Sequence, residues 1–71
     1  MIYKKNTIGD VFALNETHYT KVSHKDEVEM EELDDEYREK VLAYQDITEL
    51  EFAQRFYPIL EDFFFGGDDE N

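Results

Sequence analysis

Carboxylates are the reactive groups that this sequence supplies in abundance. Its 71 residues include 19 acids and 7 bases, and the net charge is −12. The densest stretch, Asp26 to Glu39, holds nine acids and one base in fourteen residues. Residues 1–25 have a net charge of +2, whereas residues 26–71 hold 17 acids against three bases, a net −14. This distribution predicts a surface for a basic partner, and general solubility is the plainer alternative.

Other kinds of chemistry find little support. The chain has no cysteine, which excludes disulfides, thiolate zinc sites and cysteine nucleophiles. The two histidines, His18 and His24, are expected at surface or turn positions, and zinc needs three or four well-placed ligands. The acidic clusters lack the ligand order of an EF-hand loop. We therefore expect no metal site, no cofactor and no enzymatic activity.

The net negative charge also limits which classes of partner the protein could bind. Proteins that bind nucleic acid neutralise phosphates with Lys and Arg, and this chain would meet phosphates with like charge. The same repulsion disfavours an anionic membrane surface. No apolar run reaches the length of a transmembrane helix, and no signal-peptide core follows Met1. The expected location is the cytoplasm, and the expected partner is a basic protein.

The N-terminal half is predicted to form a small antiparallel meander over about residues 8–32. Val11–Leu14 is an apolar run, Asn15-Glu16 reads as a two-residue turn, and Ser23–Asp26 reads as a second turn. Residues 27–31 alternate charged and apolar side chains, which is the period of a half-buried strand. The alternative for this last segment is a helix capped by Ser23 that carries its apolar side chains on one stripe. That stripe is Met30, Leu33, Tyr37, Val41 and Tyr44.

Two helices are predicted to follow, over about residues 34–45 and 48–65. Thr48 and Glu51 form a capping box, and Ile47 with Phe52 forms a hydrophobic staple. Pro58 should kink the second helix, or make it stop and restart. The fold class is therefore α+β, with the helices expected on one face of the sheet. Residues 1–65 are read as a single domain and residues 66–71 as a flexible acidic tail.

The acidic stretch has a spacing that suggests what it could imitate. Alternate residues of a strand lie about 6.6 Å apart, so Glu27, Glu29 and Glu31 would project from one face at close to the spacing of successive phosphates. Val28 and Met30 would then face the core. Acids of the following helix would extend the row. The full predicted acidic face is Glu27, Glu29, Glu31, Glu32, Asp34, Asp35, Glu36 and Glu39.

The C-terminal aromatics form a second candidate surface. Phe63-Phe64-Phe65 cannot all face one core from consecutive helical positions, so at least one should be exposed. Exposed aromatics often anchor interfaces. The predicted contact residues at this end are Glu61, Asp62, Phe63 and Phe65.

In size and composition the chain is similar to the small acidic inhibitors that bacteriophages and mobile elements use against restriction, CRISPR or repair nucleases. The similarity is one of type, since no motif is shared and no residue role is carried over. This similarity and the acidic face together favour a non-enzymatic protein that blocks a basic nucleic-acid-binding protein or nuclease. It would do so by presenting a DNA-like row of carboxylates. If a phage encodes the chain, the expected location is the host cytoplasm. The alternative is an immunity protein, antitoxin or polymerase-associated subunit that docks through its aromatic end. A homodimer is also compatible with the sequence.

Overall fold

The computed structural model describes residues 1–64, so Phe65 and the predicted tail of residues 66–71 lie outside it. The strands are β1 (Ile2–Lys5), β2 (Val11–Leu14), β3 (His18–Val22), β4 (Val28–Glu32) and β5 (Gln45–Asp46). The helices are α1 (Asp35–Leu42) and α2 (Glu49–Phe64). The strands form one antiparallel sheet in the order β4-β3-β2-β1-β5. The predicted α+β class, a meander followed by two helices, is confirmed.

The central strand β2 determines where the helices lie. Its residues are all buried, and because successive side chains of a strand point to opposite faces, both faces of the sheet need cover. One set of β2 side chains packs with Phe52 of α2, and the other packs with Val41 of α1. These sets are Val11 with Ala13 and Phe12 with Leu14. The helices thus cover opposite faces, and the expectation that they share one face is wrong.

Two of the strands were not predicted from the sequence. β1 pairs with β2, and the two-residue β5 pairs with the outer side of β1 between the helices. Lys4 is buried on β1, where its Nζ lies 2.7 Å from Asp46 Oδ1 and donates to the Tyr44 carbonyl at 3.3 Å. A lysine-containing segment and a two-residue strand carry almost no periodic signal. Their pairing depends on partners that are distant in the chain.

Both of the predicted hairpin turns form, and one of them is shifted by a residue. The turn at Ser23–Asp26 is confirmed: the Ser23 amide donates to the Glu27 carbonyl at 2.8 Å, and Asp26 has a φ of +64°. A three-residue hairpin loop needs one residue with positive φ at this position, and Asp tolerates it. The first turn centres on Glu16-Thr17 rather than Asn15-Glu16. Asn15 Oδ1 accepts from the Thr17 and His18 amides at 2.8 and 2.7 Å, which draws the turn one residue later.

The alternative helix that begins at Ser23 is wrong. Ser23 Oγ instead accepts from the Lys25 and Glu27 amides, both at 3.1 Å, and so stabilises the turn before β4. β4 pairs with β3 along its whole length. Helix α1 begins only after Asp34, whose carboxylate accepts from the Tyr37 amide at 2.8 Å.

Helix α2 begins as its capping residues predict. Thr48 Oγ1 accepts from the Glu51 amide at 3.1 Å, which is half of the capping box. The Glu51 carboxylate lies 3.9 Å from Lys5 Nζ instead of completing the other half. The helix runs as one element through Pro58, so the stop-and-restart alternative is wrong and the kink stays a prediction. Within residues 1–64, no helix combines the length and apolar character needed to cross a membrane.

Two arginines fasten the helices to hairpin turns. Arg38 of α1 donates to the carbonyl oxygens of Asn15 and Glu16 at 3.0 and 2.8 Å. Arg55 of α2 donates to the carbonyl oxygens of Gly9 and Ser23 at 2.8 and 2.7 Å, and so bridges two turns at the opposite end of the sheet. Each guanidinium therefore holds a helix against the sheet through backbone carbonyl oxygens, and Arg55 also lies 3.8 Å from the Asp26 carboxylate.

A polar network closes the end of the sheet at the β1–β2 and β3–β4 turns. At its centre, the buried carboxylate of Asp10 accepts from the His24 amide at 2.7 Å and from Asn6 Nδ2 at 3.0 Å. His24 Nδ1 lies 2.9 Å from Asp10 Oδ1, and Lys21 Nζ lies 4.0 Å from Oδ2. Burial raises the Asp10 pKa, but the hydrogen bonds and the Lys21 charge outweigh it and hold that pKa at about 2.

This network predicts a defined acid sensitivity. The native pKa of Asp10 is about 2, below the usual 3.8, so its stabilising contribution is complete above about pH 4 and disappears as the pH falls through about 2. Asp10→Asn should lower the free energy of unfolding at pH 7 by about 2 kcal/mol. Urea titrations of both proteins at several pH values measure this difference.

The control is Asp26→Asn, because the Asp26 side chain is 71% exposed and its 3.8 Å ion pair with Arg55 is a surface pair of little energetic weight. Its effect on the free energy of unfolding should stay within about 0.5 kcal/mol at every pH. A difference between Asp10→Asn and the parent protein that persisted unchanged down to pH 2 would contradict the assigned role of Asp10.

Candidate acidic interface

The eight predicted carboxylates lie along one stretch of the chain, and together we call them the acidic band. It follows the edge strand β4, the connection after it and the first turns of α1. All eight residues are exposed. Their order along the chain is Glu27, Glu29, Glu31, Glu32, Asp34, Asp35, Glu36 and Glu39. The structure thus places the predicted residues at one edge of the sheet and on the helix that follows.

The strand register shows which acids share a face. Glu29 pairs with Lys21 and Glu31 pairs with Tyr19, so both carboxylates lie on the side of the sheet that α1 covers. Two strand rises separate them, about 6.6 Å. Glu27 comes two residues earlier, where its amide and carbonyl both bond to Ser23 at the base of the turn. A row of regularly spaced carboxylates therefore begins at the β3–β4 turn.

The opposite side of β4 departs from expectation at one residue. Val28 is half-buried and packs against the cluster under α2, as predicted. Met30 is 61% exposed, so its predicted core position is wrong. It pairs with Thr20, and no helix covers that part of the sheet closely enough to bury it. Glu32 lies on this same side by alternation and does not continue the Glu29–Glu31 row.

The acids of α1 have a local structural role as well as an exposed position. The Asp34 carboxylate caps the helix, and Asp35 and Glu36 lie in its first turn, where negative charge complements the helix dipole. Glu39 follows Asp35 by one helical turn and lies on the same side of the helix. Capping explains Asp34 fully, whereas it does not require Glu39.

No acid of the band has a cationic partner within the described part of the chain. The ion pairs formed by residues 1–64 all involve other carboxylates. Lys21 pairs with Glu29 in register, yet its ammonium group lies near Asp10 at 4.0 Å. Arg38 is on the same helix as Glu39 and donates to backbone carbonyl oxygens. The negative charge of the band is therefore left for an external cation or a basic partner.

Two tyrosines that the sequence did not indicate as site residues pack beneath the band. The rings of Tyr19 on β3 and Tyr37 on α1 lie 4.8 Å apart, centroid to centroid. Burial raises the pKa of Tyr19, and the nearby charges of Glu31 and Glu29 raise it further. Burial, with Tyr19 beside it, raises the pKa of Tyr37 to about 12. The apolar stripe containing Tyr37 was visible in the sequence, but its partner on β3 was not.

The second predicted surface lies at the end of α2. Glu61, Asp62 and Phe63 are exposed there, and the Phe63 side chain is 79% exposed. Phe64 is 62% exposed, and its ring centroid is 5.5 Å from that of Phe63. The expectation that at least one aromatic of this run is exposed is confirmed. Phe65, which was also predicted to contact a partner, lies outside the described residues.

The histidines have ordinary local partners. His18 is exposed, with Nδ1 2.9 Å from Thr17 Oγ1, and His24 belongs to the Asp10 network. Across residues 1–64, no three His, Cys, Asp or Glu side chains are grouped closely enough to hold a metal ion. Asp10 is the buried carboxylate of this region, and its low pKa keeps it ionised and hydrogen-bonded.

The position of Glu29 and Glu31 beside Tyr19 can be tested by titration. Replacing both acids with Gln removes negative charge near the phenol, so the Tyr19 pKa should fall from its raised value toward 10.0. NMR titration of assigned tyrosine ring resonances measures each pKa separately. The matched control is Glu49→Gln, because Glu49 raises the pKa of Tyr3. That variant should lower the Tyr3 pKa and leave Tyr19 unchanged. If the double variant left the Tyr19 pKa unmoved, the two acids would not share its face.

Comparisons with protein-family models, with curated proteins and with solved structures find no match for this chain. What the acidic band binds is therefore inferred from its charges, its exposure and its place on the sheet. The same applies to the exposed aromatic end of α2.

Proposed function

We propose that this protein is a non-enzymatic acidic inhibitor that binds a basic nucleic-acid-binding protein or nuclease and occupies its nucleic-acid groove. The acidic band is the contact surface, with Glu29 and Glu31 at its centre. The proposed location is the cytoplasm, or the host cytoplasm if a phage encodes the chain. No cofactor is needed for such a role.

One observation carries this proposal: the acidic band is exposed throughout and has no counter-cation among residues 1–64. Mutual repulsion of like charges costs stability. A chain that needed these acids only for solubility could disperse them or pair them with its own lysines, yet Lys40, one helical turn after Glu36, forms no ion pair with the band. Here Lys4, Lys5 and Lys21 lie near other carboxylates instead. A basic groove would supply the missing positive charge.

The mechanism follows from electrostatics. A groove lined by Lys and Arg would meet carboxylates roughly where it meets phosphates. Long-range attraction between the opposite charges would accelerate encounter, and added salt would weaken the complex. Duplex DNA would compete because its phosphates bind the same Lys and Arg side chains of the groove. Direct binding to nucleic acid or to an anionic membrane is disfavoured by the same charges.

Support for a non-enzymatic role comes from the carboxylates of residues 1–64, of which only Asp10 is buried. Catalytic carboxylates commonly have a raised pKa and lie in a cleft. Asp10 has a lowered pKa, and its oxygens bond to groups that close two turns. This carboxylate therefore serves the fold.

The test begins with a tagged protein used to capture partners from a bacterial lysate. We expect salt to elute a nucleic-acid-binding protein and excess duplex DNA to displace it. With that partner purified, the double reversal Glu29→Lys with Glu31→Lys should weaken binding by at least about 2 kcal/mol, roughly 30-fold, because close charge pairs are lost. Calorimetry at several salt concentrations measures the affinity.

The control has the same change in net charge outside the acidic band. Glu16→Lys with Glu49→Lys should change the affinity by no more than a few-fold, since rim and distant charges contribute little. Circular dichroism confirms that both variants remain folded. Full affinity after the Glu29 and Glu31 reversal, or a complex indifferent to both salt and DNA, would overturn the proposal.

The exposed end of α2 supports a second candidate function, an acidic interaction module that docks through aromatics. The observation in its favour is the 79% exposure of Phe63 beside Glu61 and Asp62. An apolar anchor flanked by acids fits a basic partner that has a hydrophobic pocket. An immunity protein, antitoxin or polymerase-associated subunit would use such a surface.

The two candidates predict opposite sensitivities. In the second, Phe63→Ala should weaken binding by about 2 kcal/mol, as for an interface hot spot, with little dependence on salt. Leu50→Ala is the matched control, because Leu50 is another α2 side chain with 67% exposure. If Phe63→Ala and Leu50→Ala had equally small effects on affinity, the aromatic end would not be the anchor.

A further inference from the structure

Strand β4 is an open edge of the sheet. It pairs with β3 on one side, and within residues 1–64 nothing pairs with its other side. An unpaired edge strand exposes backbone donors and acceptors that can take up another strand. The same strand carries the centre of the acidic band. These are independent features, one of the backbone and one of the side chains.

The hydrogen-bond pattern shows which backbone groups face outward. Ser23 donates to the Glu27 carbonyl at 2.8 Å, and at the other end of the hairpin the Leu33 amide donates to the Thr17 carbonyl at 2.8 Å. Hydrogen-bonded pairs alternate along an antiparallel ladder, so Glu29 and Glu31 also bond toward β3. The amide and carbonyl groups of Val28, Met30 and Glu32 therefore point away from the sheet.

We propose that β4 binds an extended, basic segment of its partner as a sixth strand of the sheet. This inference rests on the proposed function and specifies how the acidic band is recognised. The outward groups of Val28, Met30 and Glu32 would supply the main-chain hydrogen bonds. Affinity would then depend on backbone pairing as well as on charge.

The side chains of β4 define the sequence pattern of that segment. Residues of the incoming strand opposite Glu29 and Glu31 lie in non-hydrogen-bonded pairs, where side chains across an antiparallel ladder are closest. Lys or Arg at these positions would face the two carboxylates. On the other side of the strand, Val28 is half-buried and Met30 is 61% exposed. Apolar residues opposite them would cover Met30, so the segment alternates basic and apolar residues.

A second copy of this chain does not fit the same edge. Antiparallel pairing of two β4 strands about Met30 would place Glu29 of each copy opposite Glu31 of the other. Like charges directly opposite across a ladder are destabilising. The acids thus protect the edge from self-association, which natural proteins commonly achieve with charges on edge strands. They leave it open to a basic strand.

The probe is a short, end-blocked peptide in which lysine and valine alternate. Its comparator has the same sequence with each valine N-methylated, which removes the valine amide donors and keeps every charge. The inference predicts that the comparator binds the full chain at least about tenfold more weakly. It also predicts that the bound lysine–valine peptide slows amide hydrogen exchange at Val28, Met30 and Glu32, measured by NMR.

A variant of the protein tests the same backbone pairing by removing an amide of β4 instead of amides of the peptide. Met30→Pro removes an outward amide without removing a β3–β4 hydrogen bond, and edge strands tolerate proline at such positions. It should weaken peptide binding about tenfold or more while leaving the charge of the band intact. If this variant does not fold, the N-methylated peptide makes the same comparison on the unaltered protein.

The outcomes separate strand addition from the proposed function. Equal affinities for the two peptides, no binding of the unmodified peptide, or unchanged exchange at the outward amides would each overturn strand addition. If the purified partner still loses affinity on the Glu29 and Glu31 reversal, the proposed function survives that result. If the partner's affinity does not respond to the reversal, the proposed function itself fails.

Discussion

Four consecutive buried residues on β2 are the constraint on which this small structure depends. Because alternate side chains of a strand face opposite ways, Val11–Leu14 needs apolar cover on two sides. A chain of this length meets that need by placing α2 on one face and α1 on the other. The helices bury the central strand β2 more completely than the edge strand β4. The edge strand β4 is left with an uncovered Met30 and a row of exposed acids.

The positions of the cations also follow from the small size of the fold. Lys4 is buried beside Asp46, and Arg55 joins two turns. These positions use positive charge to satisfy backbone and side-chain acceptors that the short loops leave near the core. Arg38 and Lys40 lie on α1 beside acids of the band, but neither forms an ion pair with them. The concentration of negative charge at one edge is thus tied to how the fold is held together.

Much of the local structure could be predicted from the sequence. The apolar run of β2, the turn at Ser23–Asp26 and the Thr48 cap each depend on neighbouring residues, and each was predicted correctly. Features that depend on distant partners were missed. β1 and β5 were not predicted, and neither was the placement of the helices on opposite faces.

The features of the candidate site likewise separate into those that the sequence could predict and those that depend on distant contacts. Exposure of the acids follows from their charge, and the common face of Glu29 and Glu31 follows from strand period. That no cation of residues 1–64 pairs with the band could not be predicted, because it depends on where Lys21 and Arg38 reach in three dimensions. Met30 was misplaced because alternation identifies a side of the sheet but not whether a helix covers it.

The way the two arginines hold the helices has a consequence for reversibility. Arg38 and Arg55 both donate to carbonyl oxygens, which carry no net charge, and the ion pair that Arg55 also makes with Asp26 is long and exposed, so it contributes little. Mobile ions screen pairs of full charges at a distance more effectively than short hydrogen bonds to backbone dipoles. Ionic strength high enough to strip a charged ligand from β4 would therefore leave both helices docked. The protein would therefore stay folded after a high-salt wash and could bind its ligand again.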